Sequence, residues 1–313
     1  MRTQAEYPAP RYRDPKDRRL VQIIKQARSS RAGAVNLMGV PFDGAVLGRK
    51  GAAGGPAGIR QALSSFSNYS LELGSDLSGA KVFDLGDVVT SQDVFAAHTQ
   101  IEKEVAEALG GDSLLLVLGG DNSISLPSLR AFGKKFGKVG LIVVDSHFDL
   151  RGEIGGKPTS GSSYGLAVRT AKGLDPRRFA EIGIHGFLNS REYAREAAKN
   201  GMTVYTASDV RQEGATAIAR DAYGVASKGC EAVYLSIDLD AVDLAYVSGV
   251  SAPSAGGISA ADLFDIAYYL GGRDKVRCAD LVELAPQLDP SGRSQITAAT
   301  ALVYLMAGFS SRA

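Results

Sequence analysis

Tryptophan is absent from this chain of 313 residues, and there are only two cysteines and three histidines. Two cysteines cannot build a disulfide scaffold. Cys230 and Cys278 each border an apolar run, the setting of a buried, reduced thiol. No charge of one sign dominates, since 35 Lys and Arg nearly cancel 34 Asp and Glu. That balance gives no electrostatic footprint for nucleic acid or for an anionic membrane surface. No apolar run approaches the ~18 residues of a membrane span. Residues 1–19 are polar and Pro-rich, unlike the apolar core of a secretory signal. The expectation is a soluble, cytoplasmic protein without nucleic-acid or membrane partners.

Hydrophobic residues, at 45%, supply ample material for a large core. The length allows two domains or one large α/β domain, and no linker or internal repeat divides the chain. After the polar arm, residues 15–32 read as a surface helix with Leu20, Ile23 and Ile24 as its apolar stripe. Strands are expected at 34–38, 81–84, 114–118, 139–144, 179–184, 202–205, 232–237 and 275–282. Helices are expected around Ile59 to Leu63 and at 91–109, 127–136, 190–200, 207–227, 259–270 and 297–306. Ser91 is the expected cap of the second of these, which places His98 on a helix surface. The alternation predicts a mainly parallel sheet with helices on both faces. In such sheets ligands bind beyond the carboxyl ends of the strands.

Several acidic groups fall at that edge: Asp121, Asp145 to Asp149, Asp238 with Asp240, and Glu283. The run Asp145-Ser146-His147-Phe148-Asp149 follows an apolar strand. If extended, its alternation projects Asp145, His147 and Asp149 to one side, and Asp238 and Asp240 likewise share a side. An Asp at a strand end also serves as a turn or cap residue. Clustered carboxylates, however, persist in a buried site only when protonated, paired or bound to cations. Oxygen-rich ligands with one imidazole suit Mn²⁺ better than structural zinc. Two ions sharing carboxylates could activate water for hydrolysis. Gly119-Gly120 lacks the third glycine of a dinucleotide fingerprint.

Four stretches occur together in order: Gly119-Gly120-Asp121-Asn122-Ser123, Asp145-Ser146-His147-Phe148-Asp149, Ser236-Ile237-Asp238-Leu239-Asp240, and Val282 to Asp289. With Gly39-Val40-Pro41-Phe42-Asp43 and Gly54 to Arg60, they resemble the ureohydrolase family of arginases, agmatinases and formimidoylglutamases. The resemblance runs from about Val35 to near the C-terminus. It implies a three-layer α/β/α sandwich, with residues 1–32 as an arm and helix ahead of one catalytic domain at 33–313. It also implies two Mn²⁺ ions, hydrolysis of a C–N bond in an amidine or guanidine, and a homo-oligomer, trimeric or hexameric. By the same resemblance Asp145 and Asp238 bridge the ions, and His147 and Asp240 complete one position. Asp149 serves the other position and the attacking water, and Glu283 receives the substrate's amidinium.

The chain departs from the family pattern at two places. Asn122 stands where His is common, either as a weaker metal ligand or as a cap for the following helix. Ser160-Gly161-Ser162 replaces His-Gly-Thr, so the loop histidine is missing. The loop Gly155 to Gly161 and the stretch Gly183 to Ser190 resemble bacterial formimidoylglutamases, with His185 where that branch has Arg. His185 is either a core-edge residue or a substrate contact. Arg49, Arg151 and Lys157 either clamp a glutamate-like substrate or are solvated. Ser160 and Asn189 complete the substrate-binding candidates. The expected activity is Mn²⁺-dependent conversion of N-formimidoyl-L-glutamate and water to L-glutamate and formamide, a step of histidine degradation. The alternatives are a guanidine amidinohydrolase of agmatinase or guanidinobutyrase type, or a metal-depleted, non-catalytic relative.

Overall fold

Continuous apolar segments such as Leu114–Leu118 and Val139–Val144 need cover on both faces, and that requirement shapes the molecule. The structure is a computed structural model describing residues 2–9 and 14–312. The strands are β1 (Arg2–Thr3), β2 (Ile24–Gln26), β3 (Val35–Gly39), β4 (Tyr69–Ser70), β5 (Ser75–Asp76) and β6 (Val82–Val88). They continue as β7 (Leu114–Leu118), β8 (Val139–Val144), β9 (Leu174–Ile184), β10 (Thr203–Thr206), β11 (Ala232–Asp238) and β12 (Val276–Val282). The helices are α1 (Gly55–Leu63), α2 (Val94–Ala108), α3 (Ser125–Phe136), α4 (Ser163–Thr170) and α5 (Arg191–Lys199). They end with α6 (Ala207–Glu213), α7 (Ala215–Ser227), α8 (Ala260–Gly271) and α9 (Arg293–Ser310).

The main sheet runs β1-β6-β3-β7-β12-β11-β8-β9-β10, with β2 also on β6, and β4 and β5 form a separate hairpin. Only β1 pairs antiparallel in the main sheet. Along β7, Leu114, Leu116 and Leu118 join one core, while Leu115 and Val117 join the other. Helices α1 and α6 to α9 cover the first face, and α2 to α5 cover the second. The expected three-layer α/β/α sandwich is therefore present.

The expected helix over 15–32 does not form. Its place is taken by a 3-10 turn at Leu20–Gln22 and by β2, which extends the sheet beside β6. Leu20 and Ile23, three residues apart, bury on the same side of that single turn. Met1 and residues 10–13 of the expected arm lie outside the described residues. Helix α2 is capped by Asp93, which accepts from Ala96 N, rather than by Ser91. The segment 207–227 is two helices broken at Gly214, whose φ is +90°.

Candidate metal centre

Strand β8 ends at Val144, so the backbone from Asp145 to Asp149 is a turn and not the extended run expected. Asp145 Oδ1 accepts from His147 N at 2.6 Å, which folds the stretch back on itself. Asn189 clamps it from outside, donating to Ser146 O at 2.7 Å and accepting from Phe148 N at 3.0 Å. Asp238, the last residue of β11, likewise accepts from Asp240 N within a 3-10 turn. The side chains converge through these Asx turns, not through strand alternation.

Convergence gives two overlapping groups, Asp145 with His147 and Asp240, and Asp145 with Asp149 and Asp238. In each, one ligand atom per residue lies within 4.8 Å of the others. Asp145 belongs to both, as a bridging ligand would. Its Oδ2 is buried without a hydrogen-bond partner. An ionised oxygen in that state is costly unless a cation or proton completes it. The donor set of carboxylates and one imidazole fits hard divalent ions.

The electrostatics carry the same signature. Burial, with Asp240 and Asp149 nearby, pushes Asp145 well above the carboxylate range, and burial with Asp240 and Asp145 does the same to Asp238. Asp149 is pushed up to about 7, chiefly by burial, although the His147 charge opposes this. His147 loses basicity through burial, but its bond to Asp240 and the surrounding carboxylates raise it to about 9. Asp240 alone is held low: burial works against it, and the bonds from His147 and Ser146 prevail. Cations in the centre would replace the protons these groups otherwise hold.

Backbone conformation singles out two of the candidates independently. Among the described residues, only Asp149 (φ +46°) and Glu283 (φ +70°) are non-glycine residues with left-handed backbone. Such conformations cost about 1–3 kcal/mol each and concentrate at functional sites. Glu283 Oε1 accepts from Asn122 N at 2.7 Å, while its buried Oε2 has no partner. Burial and the neighbouring Asp121 push this carboxyl up to about 8. Glu283 N donates to Gly120 O at 2.9 Å, and Gly120 in turn packs against the backbone of Phe42, where a Cβ would lie 1.7 Å from Phe42 O.

A cleft of about 120 Å³ joins these groups, lined also by Leu47, Gly48, Arg151, Ser160, Gly161, Ser251 and Ala252. Arg151 is its one Arg or Lys, with the guanidinium 5.6 Å from the Tyr193 ring centroid. Ser160 Oγ accepts from Leu47 N. The other substrate-binding candidates stay outside the lining. Arg49 donates to the carbonyls of Ser248 and Val250 and so ties down a loop, and Lys157 lies in an exposed turn with Ile154. Both ring nitrogens of His185 are engaged, by Gly183 O at 2.8 Å and Ser254 Oγ at 2.7 Å. That leaves His185 as a bracket between two loops.

Asn122 departs from both expectations for it. Its Nδ2 lies 2.6 Å from Asp149 Oδ2, and its Oδ1 accepts from Tyr164 OH and Ser125 Oγ. In this orientation it donates to a ligand instead of offering an oxygen. The cap role belongs to Asp121, which accepts from Ser123 N and Ala45 N. His98 is buried, not exposed, and bonds Ser123 Oγ at 3.1 Å behind that turn. Sequence reasoning also passed over Glu181, fully buried on β9 with both oxygens unpartnered. One acid inside an apolar run was the only sign of it. Ser251 and Ala252 lie in a loop without any local pattern that would have marked them.

A model of the arginase family matches residues 33–308. The formimidoylglutamase of Halobacterium salinarum is 36% identical over 277 residues, which cover 87% of this chain and 87% of the relative. The formimidoylglutamase of Halalkalibacterium halodurans is 34% identical over 262 residues, covering 83% of this chain and 82% of the relative. The crystal structure of Trypanosoma cruzi formiminoglutamase with Mn²⁺ has a TM-score of 0.86 and 31% identity, covering 95% of this chain and 100% of that one. With the family model spanning most of its length and candidate ligands gathered at the strand ends, this chain belongs to the arginase family.

Proposed function

We propose that this chain is a manganese-dependent formimidoylglutamase, converting N-formimidoyl-L-glutamate and water to L-glutamate and formamide in histidine degradation. The observation that carries the reading is the polarity of the cleft. A buried carboxyl with one free oxygen, Glu283, stands at the metal ligands, and a single guanidinium, Arg151, stands among the lining residues. A substrate with an amidinium at one end and carboxylates at the other matches that pattern. The relatives named formimidoylglutamase support the same choice.

Asp145, His147, Asp149, Asp238 and Asp240 would hold two Mn²⁺ ions. When bound, such ions lower the pKa of water so that it can act as nucleophile near neutral pH. Glu283 Oε2 takes a hydrogen bond from the amidinium and fixes the imidoyl carbon above the centre. Arg151 receives a substrate carboxylate. Asp149, oriented by Asn122, accepts the proton of the attacking water and returns it to the leaving nitrogen. Water adds to the imidoyl carbon, and the bond from that carbon to the glutamate nitrogen breaks. We further infer a cytoplasmic homo-oligomer, trimeric or hexameric as the family resemblance implies, with the catalytic domain at 33–313 behind an N-terminal arm at 1–32. The family match beginning at residue 33 supports that boundary. No helix among the described residues is long and apolar enough to cross a membrane.

Steady-state assays of the Mn²⁺-loaded enzyme with formimidoylglutamate, agmatine, arginine and 4-guanidinobutyrate test the reading. Formimidoylglutamate should be turned over best, and agmatine, cationic at both ends, worst. Turnover of a guanidine substrate alone overturns the assignment. Arg151→Gln should raise KM about 10- to 100-fold with little change in kcat, from about 1.5–3 kcal/mol for a hydrogen bond to a charged group.

A further inference from the structure

At the opposite end of β9 from the metal centre lies an open cleft of about 510 Å³ between the edge strand β10 and helix α7. About 20 Å of strand separates Arg178 from Ile184 at the catalytic edge, from ~3.3 Å per residue. Beside Arg177, five further donors line the cleft: Arg178, Thr203, Tyr205, Arg220 and Lys228. None of their side chains makes a hydrogen bond or ion pair among the described residues. This is unlike the neighbouring Arg177, which is bound by Asp175. Arg220 lies on α7 and Lys228 caps its C-terminal end with extended backbone, with Gly224 between them in the lining. A Cβ at Gly224 would meet nothing within 4 Å, so the space between the two cations stays open. Asp221 is the only acid in the lining. Burial and Asp221 raise the Tyr205 phenol, which keeps it a donor.

Convergent donors from three elements, with an excess of positive charge in a chain of net charge +1, form a site for an acceptor-rich anion. We propose that this cleft binds a phosphate-bearing small molecule, with phosphate oxygens on Arg178, Arg220 and Lys228 and further bonds from Thr203 and Tyr205.

Isothermal titration of the Mn²⁺-loaded full chain, with equal Mn²⁺ in cell and syringe, is carried out with inorganic phosphate and with ADP. One equivalent should bind per chain. The triple variant Arg178→Gln, Arg220→Gln, Lys228→Gln should weaken binding at least tenfold, and Asp221→Asn should strengthen it. Equal binding of both probes marks a phosphate site, and preference for ADP marks a nucleotide site. Absence of binding by either probe, or binding that the triple variant leaves unchanged while its thermal melt matches the parent, overturns the proposal.

Discussion

Two carboxylates at opposite regions of the sheet, Asp84 on β6 and Asp145 after β8, are equally buried and differently completed. Asp84 accepts two bonds from Arg60, one from Tyr7 OH and one from Gly86 N, so the protein supplies every partner. Asp145 has one oxygen on His147 N and the other on nothing, among further carboxylates. Burial is common to both and therefore diagnoses neither. The difference is whether the charge is closed from within. Asp84 and Arg60 fasten the N-terminal segment and α1 to the sheet edge, whereas the cluster around Asp145 leaves an oxygen for a proton or a cation to complete.

The largest way to break this contrast is to remove a ligand that the family resemblance makes a bridge between the ions. Asp238→Ala should abolish Mn²⁺ binding and reduce turnover by about 10³-fold or more, a loss above ~4 kcal/mol in the transition state. Metal analysis and kinetics read both effects, and retained stoichiometry would contradict the assignment. Next, Arg60→Met leaves Asp84 uncompensated and should cost about 3–5 kcal/mol of stability with or without metal. Asp145→Asn should do the opposite in the metal-free protein. It removes a buried carboxyl that folding forces to hold a proton the unfolded chain releases, and should raise Tm near neutral pH, while eliminating the stabilisation that Mn²⁺ gives the parent. If both variants destabilise the metal-free protein alike, the two carboxylates are not different in kind.

Acid–base behaviour sharpens the same point. In the metal-free centre Asp149 titrates near 7, Glu283 near 8 and His147 near 9, all above their ordinary values. The folded state then holds protons that the unfolded chain has already released. Stability of the metal-free protein should therefore fall as pH rises from about 4 to 9, through Asp149 up to about 7, Glu283 up to about 8 and His147 from about 6.5 to 9, by up to about 1.4 kcal/mol per pH unit for each group in titration. Mn²⁺ in place of the protons should flatten that decline. His98 has the opposite sign, since burial lowers it to about 4, and its contribution is lost as pH falls from about 6.5 toward 4. The His98 window closes near pH 6.5, so melts at fixed ionic strength above that pH read the centre without it, and a metal-free Tm that rises above pH 7 would be inconsistent with the proton-holding centre.

The central strands were legible because both faces are covered and their sequences are almost continuously apolar. The edges were not. β1, β2 and the β4–β5 hairpin are two or three residues long, and each exists through pairing with a distant or adjacent segment, not through its own pattern. Leu20 and Ile23 carried a signal that fits one 3-10 turn as well as a helix. At the site, residue types and order pointed to side chains that the fold does bring together, but for a geometrically wrong reason. Asx turns and two left-handed residues, not strand alternation, aim the carboxylates. Arg49 and Lys157 show the limit of reading loops by charge, because only the folded path decides which loop cation faces the cleft.

The finest test of the comparison lies within the centre itself. The group holding His147 is closed by an imidazole, whereas the group holding Asp149 is flanked by Asn122, whose Nδ2 donates to that carboxylate. Asn122→His should convert a donor into a ligand and tighten the looser Mn²⁺ position about tenfold, or ~1.4 kcal/mol. The same change takes the Oδ1 acceptor from Tyr164 and Ser125, so the metal-free protein should lose about 1–3 kcal/mol. Weaker folding without metal and tighter binding with it are opposite shifts, which a repacking defect alone does not produce. Mn²⁺ titrations giving equal affinities in the two proteins would mean that position 122 does not reach the ion, and that the asymmetry of the centre has another source.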